Sequence, residues 1–170
     1  MKVWVLRLGH RRVRDQRITS HCGLVARAFG ANGITYSGER DENLEKSIKK
    51  VVKNWGGPFE IKYEKNWKKV INNWKGKTVH LTMYGLPIQD KINQIKKSKN
   101  ILVIVGSEKV PGDVYYLVDF NIAVANQPHS EVGSLSIFLD KFFEGKELEK
   151  KFKNARIKII PQESGKKTIS

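Results

Sequence analysis

Short runs of aliphatic and β-branched residues alternate with amphipathic segments along almost the whole chain. Such runs are typical of strands, and the segments between them are typical of helices packed on a core. We therefore expect an α/β fold with a largely parallel sheet flanked by helices. The predicted strands are Val3–Leu8, Ile34–Tyr36, Phe59–Tyr63, Thr78–Thr82, Ile101–Val105 and Ile122–Ala125.

Between these strands, apolar residues recur at helical spacing, which predicts buried helix faces. The groups are Leu44, Ile48, Val51, Val52 and Trp55; Trp67, Val70, Ile71 and Trp74; Ile88, Ile92 and Ile95; and Leu135, Phe138, Leu139 and Phe142. The tryptophans are assigned to the core. The segment ILVIVG, at 101–106, predicts a strand that is buried on both faces of the sheet.

The length and the hydrophobic content predict one domain over residues 1–170. A chain of 170 residues with 39% hydrophobic residues can bury a substantial core. After Phe152 we expect one more short strand and then a polar tail, at about 161–170, whose basic residues lie in solvent.

The net charge of +15 predicts a polyanionic partner. RNA or DNA fits best and an anionic membrane surface less well, although a lysine-rich surface is also compatible with no partner at all. Cys22 is the single cysteine, so we expect no disulfide within the chain and a reducing compartment, the cytoplasm. The longest apolar run, Ile101–Val105, is too short to span a membrane, and Arg7 interrupts the only apolar run near residue 1.

Several familiar catalytic patterns are missing from the sequence. There is no G-x-G-x-x-G after a strand and no G-x-S-x-G, and the four histidines with one cysteine lack the spacing of a zinc site, so we expect no metal. The segment ESGKKT, at 163–168, imitates the end of a phosphate-binding loop. Ile160 stands where the first glycine of such a loop belongs, and no helical pattern follows.

Arginine is concentrated near the start of the chain, whereas lysine is spread throughout. Six of the 8 arginines fall in the first 27 residues, against 24 lysines overall. Solubility does not distinguish the two cations, but the planar guanidinium suits bidentate contacts with phosphate. The arginines of this region are Arg7, Arg11, Arg12, Arg14, Arg17 and Arg27.

The helix predicted after these arginines has two distinct faces. Ile18, Cys22, Val25 and Phe29 share one face, which we expect to be buried. Ser20, Gly23 and Arg27 lie roughly opposite. On this interpretation Arg27 points away from the core, above a glycine that leaves room for a ligand, although a solvent-facing arginine fits the pattern as well.

Three loops that follow predicted strands contain glycine and proline. They are LTMYGLP at 81–87, GSEKVPG at 106–112 and NQPHSEVGS at 126–134. Ligands of open α/β sheets bind beyond the carboxyl ends of the strands. We therefore predict that the three loops converge on one ligand, which backbone groups would hold.

Five segments, two of them contiguous, together resemble the motifs of a known family. SHCGLVARAFGA resembles the first motif of the SpoU branch of the SPOUT methyltransferases, LVIVGSEKVPG the second and QPHSEVGSLSIFLD the third. With RLGHRRVRDQRIT and VHLTMYGLPI added, the resemblance is closest to the archaeal tRNA (cytidine(56)-2'-O)-methyltransferases, from about Val3 to Phe143. His21 and Ser136 stand where the wider SpoU branch usually has asparagine, and both fit the narrower family.

This resemblance implies an S-adenosylmethionine-dependent methylation of the ribose 2'-hydroxyl of a T-loop cytidine in tRNA. It also implies a trefoil knot near the C-terminus that forms the cofactor pocket. The cofactor-binding residues would be Leu81, Thr82, Met83, Tyr84, Gly85, Gly106, Ser107, Glu108, Lys109, Val110, Asn126, Gln127, Gly133, Ser134 and Leu135.

The resemblance further implies a homodimer in which Arg27 of one subunit serves the cofactor of the other as the catalytic residue. We expect Arg7, Arg11, Arg12, Arg14 and Arg17 to hold tRNA phosphates at the mouth of the site. Two alternatives stay open at this point: a methyltransferase of the same superfamily acting on another tRNA or rRNA position, and an RNA-binding protein without enzymatic activity.

Overall fold

The computed structural model describes all residues from 1 to 170. The chain forms six α-helices and eight strands, with one 3-10 helix at Lys146–Glu149. The helices are α1 (Gln16–Ala28), α2 (Glu42–Trp55), α3 (Trp67–Asn72), α4 (Ile88–Ile95), α5 (Val114–Leu117) and α6 (Glu131–Phe143). The strands are β1 (Lys2–His10), β2 (Gly33–Gly38), β3 (Glu60–Tyr63), β4 (Lys77–Pro87), β5 (Asn100–Val105), β6 (Phe120–Ala123), β7 (Lys158–Ile160) and β8 (Lys167–Ile169).

Strands β1 to β6 form one sheet in the order β3-β2-β1-β5-β4-β6, and every neighbouring pair is parallel. The α/β fold with a largely parallel sheet predicted from the sequence is therefore confirmed. The strand order reverses between β1 and β5, so the loops after these two strands open into the same crevice. Crevices of this kind are the usual ligand sites of open α/β sheets.

Helices cover both faces of the sheet. The larger core cluster lies where α1, α2, α4 and α6 pack, and the smaller one lies on the other face beside α3 and α5. Residues Ile101–Val105 of β5 are at most 1% exposed, which confirms a strand buried on both faces. The apolar face of α6 is buried as predicted, at Leu135, Phe138, Leu139 and Phe142.

Polar side chains at the helix ends fix where the helices begin. The Asp41 carboxylate accepts hydrogen bonds from the backbone amides of Asn43 and Leu44, at 3.0 and 3.1 Å, and starts α2. Ser130 accepts from the amide of Val132 in the same way and starts α6 within the third segment predicted as a ligand loop, so residues 131–134 of that segment are helical.

The last residues form more regular structure than the sequence pattern predicts. Strand β7 is the short strand expected after Phe152, and the tail at 161–170 is exposed throughout as predicted, but it also contains β8, which pairs antiparallel with β7. Gly165 adopts a φ of +76°, which turns the chain between the two strands. The segment ESGKKT thus comprises the turn and the first two residues of β8, and no helix follows it, so it is not a phosphate-binding loop.

The prediction for the faces of α1 is wrong at three residues. Ile18 is 38% exposed, whereas Gly23 and Arg27 are buried. The reason is that α2 packs against α1 and covers a second side of it. A Cβ built on Gly23 would lie 2.8 Å from Cδ1 of Ile48, so this glycine makes room for α2 and not for a ligand.

Candidate active site

The three loops predicted to bind a ligand meet around one cavity of about 310 Å³, which we call the strand-end cavity. It lies beyond the carboxyl end of β5 and against residues 80–84 of β4, so the first of the three segments, predicted as a loop, belongs to a strand. Its walls are His80, Leu81, Thr82, Met83, Tyr84, Gly106, Ser107, Glu108, Val110, Tyr115, Pro128, His129, Glu131 and Ser134. The predicted convergence of the loops is confirmed.

Nine of the predicted cofactor residues line this cavity and six do not. Gly85 packs against the backbone of Asn121, and Leu135 is buried in the core. The remaining four are exposed: Lys109, Asn126, Gln127 and Gly133. Asn126 nevertheless connects two of the loops, because its Nδ2 donates to the carbonyls of Met83 and Gly85, at 2.8 and 3.1 Å.

Five cavity residues were missed in the sequence, among them His80 and Tyr115. His80 belongs to the interior of a predicted strand, and Tyr115 comes from the short helix α5. The Asn121 amide donates to the carbonyl of Tyr115, so its oxygen faces His80 and accepts from Nδ1 at 3.0 Å. Pro128, His129 and Glu131 fall within the range of the third loop, but their residue types gave no signal.

His80 brings an unpaired acceptor to the base of the cavity. Its side chain is fully buried, and burial lowers its pKa although the bond to Asn121 raises it. With the proton on Nδ1, the ring is neutral and Nε2 is an acceptor without a partner. The edge of the imidazole also packs against the ring of Tyr115, with centroids 4.8 Å apart.

The cavity suits a positively charged, partly apolar ligand such as S-adenosylmethionine. Its volume falls within the usual range for small-molecule sites, about 300–1,000 Å³. Leu81, Met83 and Val110 provide apolar walls, and the carboxylates of Glu108 and Glu131 provide negative charge. Gly106 must lack a side chain, because a Cβ there would overlap Val110.

Beside this cavity, residues 11–15 form a braced turn that we call the arginine turn. The Arg11 guanidinium binds both oxygens of Asp15, at 2.8 and 3.1 Å, and the Arg11 amide donates to the same carboxylate. These bonds raise the pKa of Arg11 and lower that of Asp15. The amide of Arg12 donates to the carboxylate of Glu39 at 2.9 Å.

The arginine turn and the residues beside it place positively charged side chains in solvent next to the strand-end cavity. Arg12, Arg14 and Arg17 are exposed, and Arg11 is partly exposed. Arg11, Arg14, Ser107 and Glu108 share a second, polar cavity with Gly9 and Lys109. Four of the five predicted RNA-binding arginines therefore lie where a polyanion could reach them.

Arg7 is the exception, and its predicted contact with tRNA phosphate is wrong. The side chain is 1% exposed within the central strand β1, so no polyanion can reach it. Its Nη1 donates to the carbonyls of Leu8 and Gly106. Arg7 thus holds the start of the second predicted ligand loop, at 106–112, through the carbonyl of Gly106.

Arg27 is buried as well, at 8% exposure. The prediction that it points away from the core is therefore wrong. Its guanidinium lies at the C-terminal end of α2, with Nη2 2.5 Å from the Trp55 carbonyl and 2.8 Å from the Gly56 carbonyl. The ring of Phe152 packs over it at 4.2 Å. Burial lowers the pKa of Arg27. Within one chain Arg27 is not among the residues that line the strand-end cavity.

The described chain shows neither a metal cluster nor a membrane-spanning helix. Nowhere do three or more histidine, cysteine, aspartate or glutamate side chains come together in a way that could hold a metal ion. None of the helices has the length and the apolar character needed to cross a bilayer.

Solved structures with the same architecture are SpoU-type RNA methyltransferases. The SpoU methyltransferase AviRb from Streptomyces viridochromogenes, in complex with its cofactor AdoMet, superposes with a TM-score of 0.63 at 13% identity, over 85% of this chain and 58% of that one. The TrmH/SpoU tRNA-modifying enzyme of A. aeolicus gives a TM-score of 0.62 at 12% identity, over 86% and 78%. The fold is therefore that of the SpoU methyltransferases.

Sequence comparison narrows this class to one family. Residues 55–169 match the family model of the tRNA ribose 2'-O-methyltransferase aTrm56. The tRNA (cytidine(56)-2'-O)-methyltransferases of Pyrococcus horikoshii and Methanocaldococcus jannaschii are 53% and 55% identical to this chain. These matches cover 97% and 99% of this chain, and 83% and 97% of the relatives. The chain belongs to the tRNA (cytidine(56)-2'-O)-methyltransferase family.

Proposed function

We propose that the protein transfers the methyl group of S-adenosylmethionine to the ribose 2'-hydroxyl of cytidine 56 in tRNA. Membership of the family, at more than 50% identity over nearly the whole chain, carries this conclusion. The strand-end cavity supports it, because its apolar walls and two carboxylates suit the cationic donor.

The predicted cofactor residues that line the cavity would hold the donor, together with Glu131 and His80. When bound, S-adenosylmethionine supplies a methyl group on a good leaving group. The protein then has to align the 2'-oxygen with that methyl group, to let the hydroxyl proton leave to water and to stabilise the charge that develops on the oxygen. Asn126 donates hydrogen bonds to the carbonyls of Met83 and Gly85, and Arg7 donates one to the carbonyl of Gly106. These bonds hold the walls of the pocket in place for the alignment.

We propose Arg27 as the catalytic residue, acting across a homodimer. A guanidinium hardly gives up its proton in proteins, so Arg27 would clamp the target phosphate and stabilise the developing alkoxide. A dimer is supported by apolar side chains left exposed on the neighbouring helices α1 and α6, at Ile18, Leu24 and Ile137. In such a dimer, Arg27 of one subunit would act at the strand-end cavity of its partner.

We also propose that the chain forms the trefoil knot of this superfamily, with the segment before α6 threaded through the loop that follows β5. The close pairing of β4 with β6 and the contacts of α6 with α1 and α4 support this topology. Arg11, Arg12, Arg14 and Arg17 are proposed to bind tRNA phosphates, and we propose the cytoplasm as the compartment in which the protein acts on tRNA.

The test is methylation of unmodified tRNA with radiolabelled S-adenosylmethionine, followed by mapping of the product nucleotide. We expect one 2'-O-methyl group, on cytidine 56, and no transfer to a tRNA in which position 56 carries a 2'-deoxyribose. Transfer to another nucleotide would assign the enzyme to a different site, and binding of tRNA without any transfer would indicate an RNA-binding protein.

A further inference from the structure

Glu108 lies between the strand-end cavity and the arginine turn and lines cavities on both sides. Its Oε2 is 3.1 Å from Nη2 of Arg14 and 3.6 Å from Nη1 of Arg11. The same carboxylate therefore faces the proposed donor site and the proposed RNA-binding cations.

The two arginines depend on Glu108 to different extents. Arg11 is already fixed by the two bonds to Asp15, whereas Arg14 forms no ion pair other than that with Glu108. The side chains of Arg14 and Glu108 are 66% and 58% exposed. Ion pairs between such exposed groups are weak, so a competing charge of either sign can separate them.

We infer that Glu108 makes the affinity for tRNA depend on the charge of the cofactor, so that the methyl donor favours tRNA binding more than the demethylated product does. This inference rests on the proposed function. S-adenosylmethionine carries one positive charge more than S-adenosylhomocysteine. A cation in the cavity competes with Arg14 for the Glu108 carboxylate, and Arg14 is then free for a phosphate.

The direction of the effect matches the order of the reaction. Before transfer, the charged donor occupies Glu108 and Arg14 binds RNA. After transfer, the sulfur is neutral, Arg14 returns to Glu108, and the contact with the methylated RNA is lost. The linkage is reciprocal, so tRNA must strengthen the binding of the donor by the same factor by which the donor strengthens the binding of tRNA.

The experiment measures the dissociation constant of unmodified tRNA at one fixed low salt concentration. Each protein is tested without cofactor, with saturating S-adenosylmethionine and with saturating S-adenosylhomocysteine. The variant is E108Q. The matched control is E39Q, which removes the same charge beside the arginine turn, where Glu39 binds the Arg12 amide in a different cavity.

For the wild type we expect tRNA to bind about threefold more tightly with the donor than with the product, the scale of one exposed ion pair. E108Q without cofactor should bind tRNA about threefold more tightly than wild type, and its affinity should no longer distinguish the two cofactors. E39Q should keep the difference between the cofactors.

Two results would overturn the inference while leaving the proposed function intact. One is a wild-type enzyme that methylates tRNA but binds it equally well with either cofactor. The other is an E108Q protein that, without cofactor, binds tRNA no more tightly than E39Q does. A wild-type protein that binds neither cofactor, or no tRNA, would instead contradict the proposed function.

Discussion

Arg27 joins two tasks in one guanidinium, because it fixes the end of α2 and is proposed to act on the partner's substrate. We expect Arg27→Lys to keep the charge, lose the forked contacts and reduce turnover at least a hundredfold. Cofactor affinity, measured by calorimetry, should change little. The lost bonds to Trp55 and Gly56 should lower the free energy of unfolding by about 0.5–1.5 kcal/mol each. Turnover equal to wild type would refute the assignment.

A mixture of two inactive proteins separates the catalytic role from the structural one. In Gly106→Val the new side chain would overlap Val110 and close that subunit's own cavity. Mixed dimers of R27K and G106V contain one site with an open cavity and an intact partner arginine. Recovery of activity on mixing is the expected result, and its absence would argue that Arg27 acts within its own subunit.

Burial separates arginines that look alike in the sequence. Arg7 and Arg14 both stand in the arginine-rich region, yet one is 1% exposed and the other points into solvent. A signal was available: Arg7 falls inside the predicted strand Val3–Leu8, whereas Arg14 follows it. A strand at the centre of a parallel sheet is covered on both faces, so the side chains in its interior are buried.

Strands and helices could be predicted from local pattern, but their mutual contacts could not. The periodicity of α6 identified all four of its buried residues, because a single side of that helix meets the core. The periodicity of α1 failed, since α2 covers a second side that the sequence of α1 does not reveal. His80 and Asn121 were missed for the same reason: they meet only because β4 and β6 are neighbours in the sheet.

The contact between α1 and α2 makes Gly23 a test of the packing. Gly23→Leu should lower the free energy of unfolding by about 2–3 kcal/mol, because the new side chain must displace Ile48. Ala28→Leu adds a side chain at an exposed position of the same helix and should change stability by less than about 0.5 kcal/mol. Chemical denaturation measures the free energy of unfolding of the two variants and of the wild type. Equal stabilities would mean that Gly23 faces open space.

The excess of positive charge acts at the scale of the whole molecule. If the exposed arginines bind phosphates, the logarithm of the tRNA association constant should fall with the logarithm of salt concentration, with a slope of about −3. Arg12→Gln should reduce that slope by about one unit, whereas Arg156→Gln, on the segment after α6, should leave it unchanged. Filter binding or fluorescence anisotropy at several salt concentrations measures this slope. An association constant that does not change with salt would contradict the proposed RNA-binding surface.

The bracing of the arginine turn also affects how the molecule meets its substrate. Asp15 and Glu39 hold the turn in shape before any RNA arrives. A loop that is already ordered loses little conformational entropy on binding, so more of the interaction energy is kept as affinity. If the arginine turn binds tRNA as proposed, it therefore acts as a rigid template and not as a flexible arm that must first become ordered.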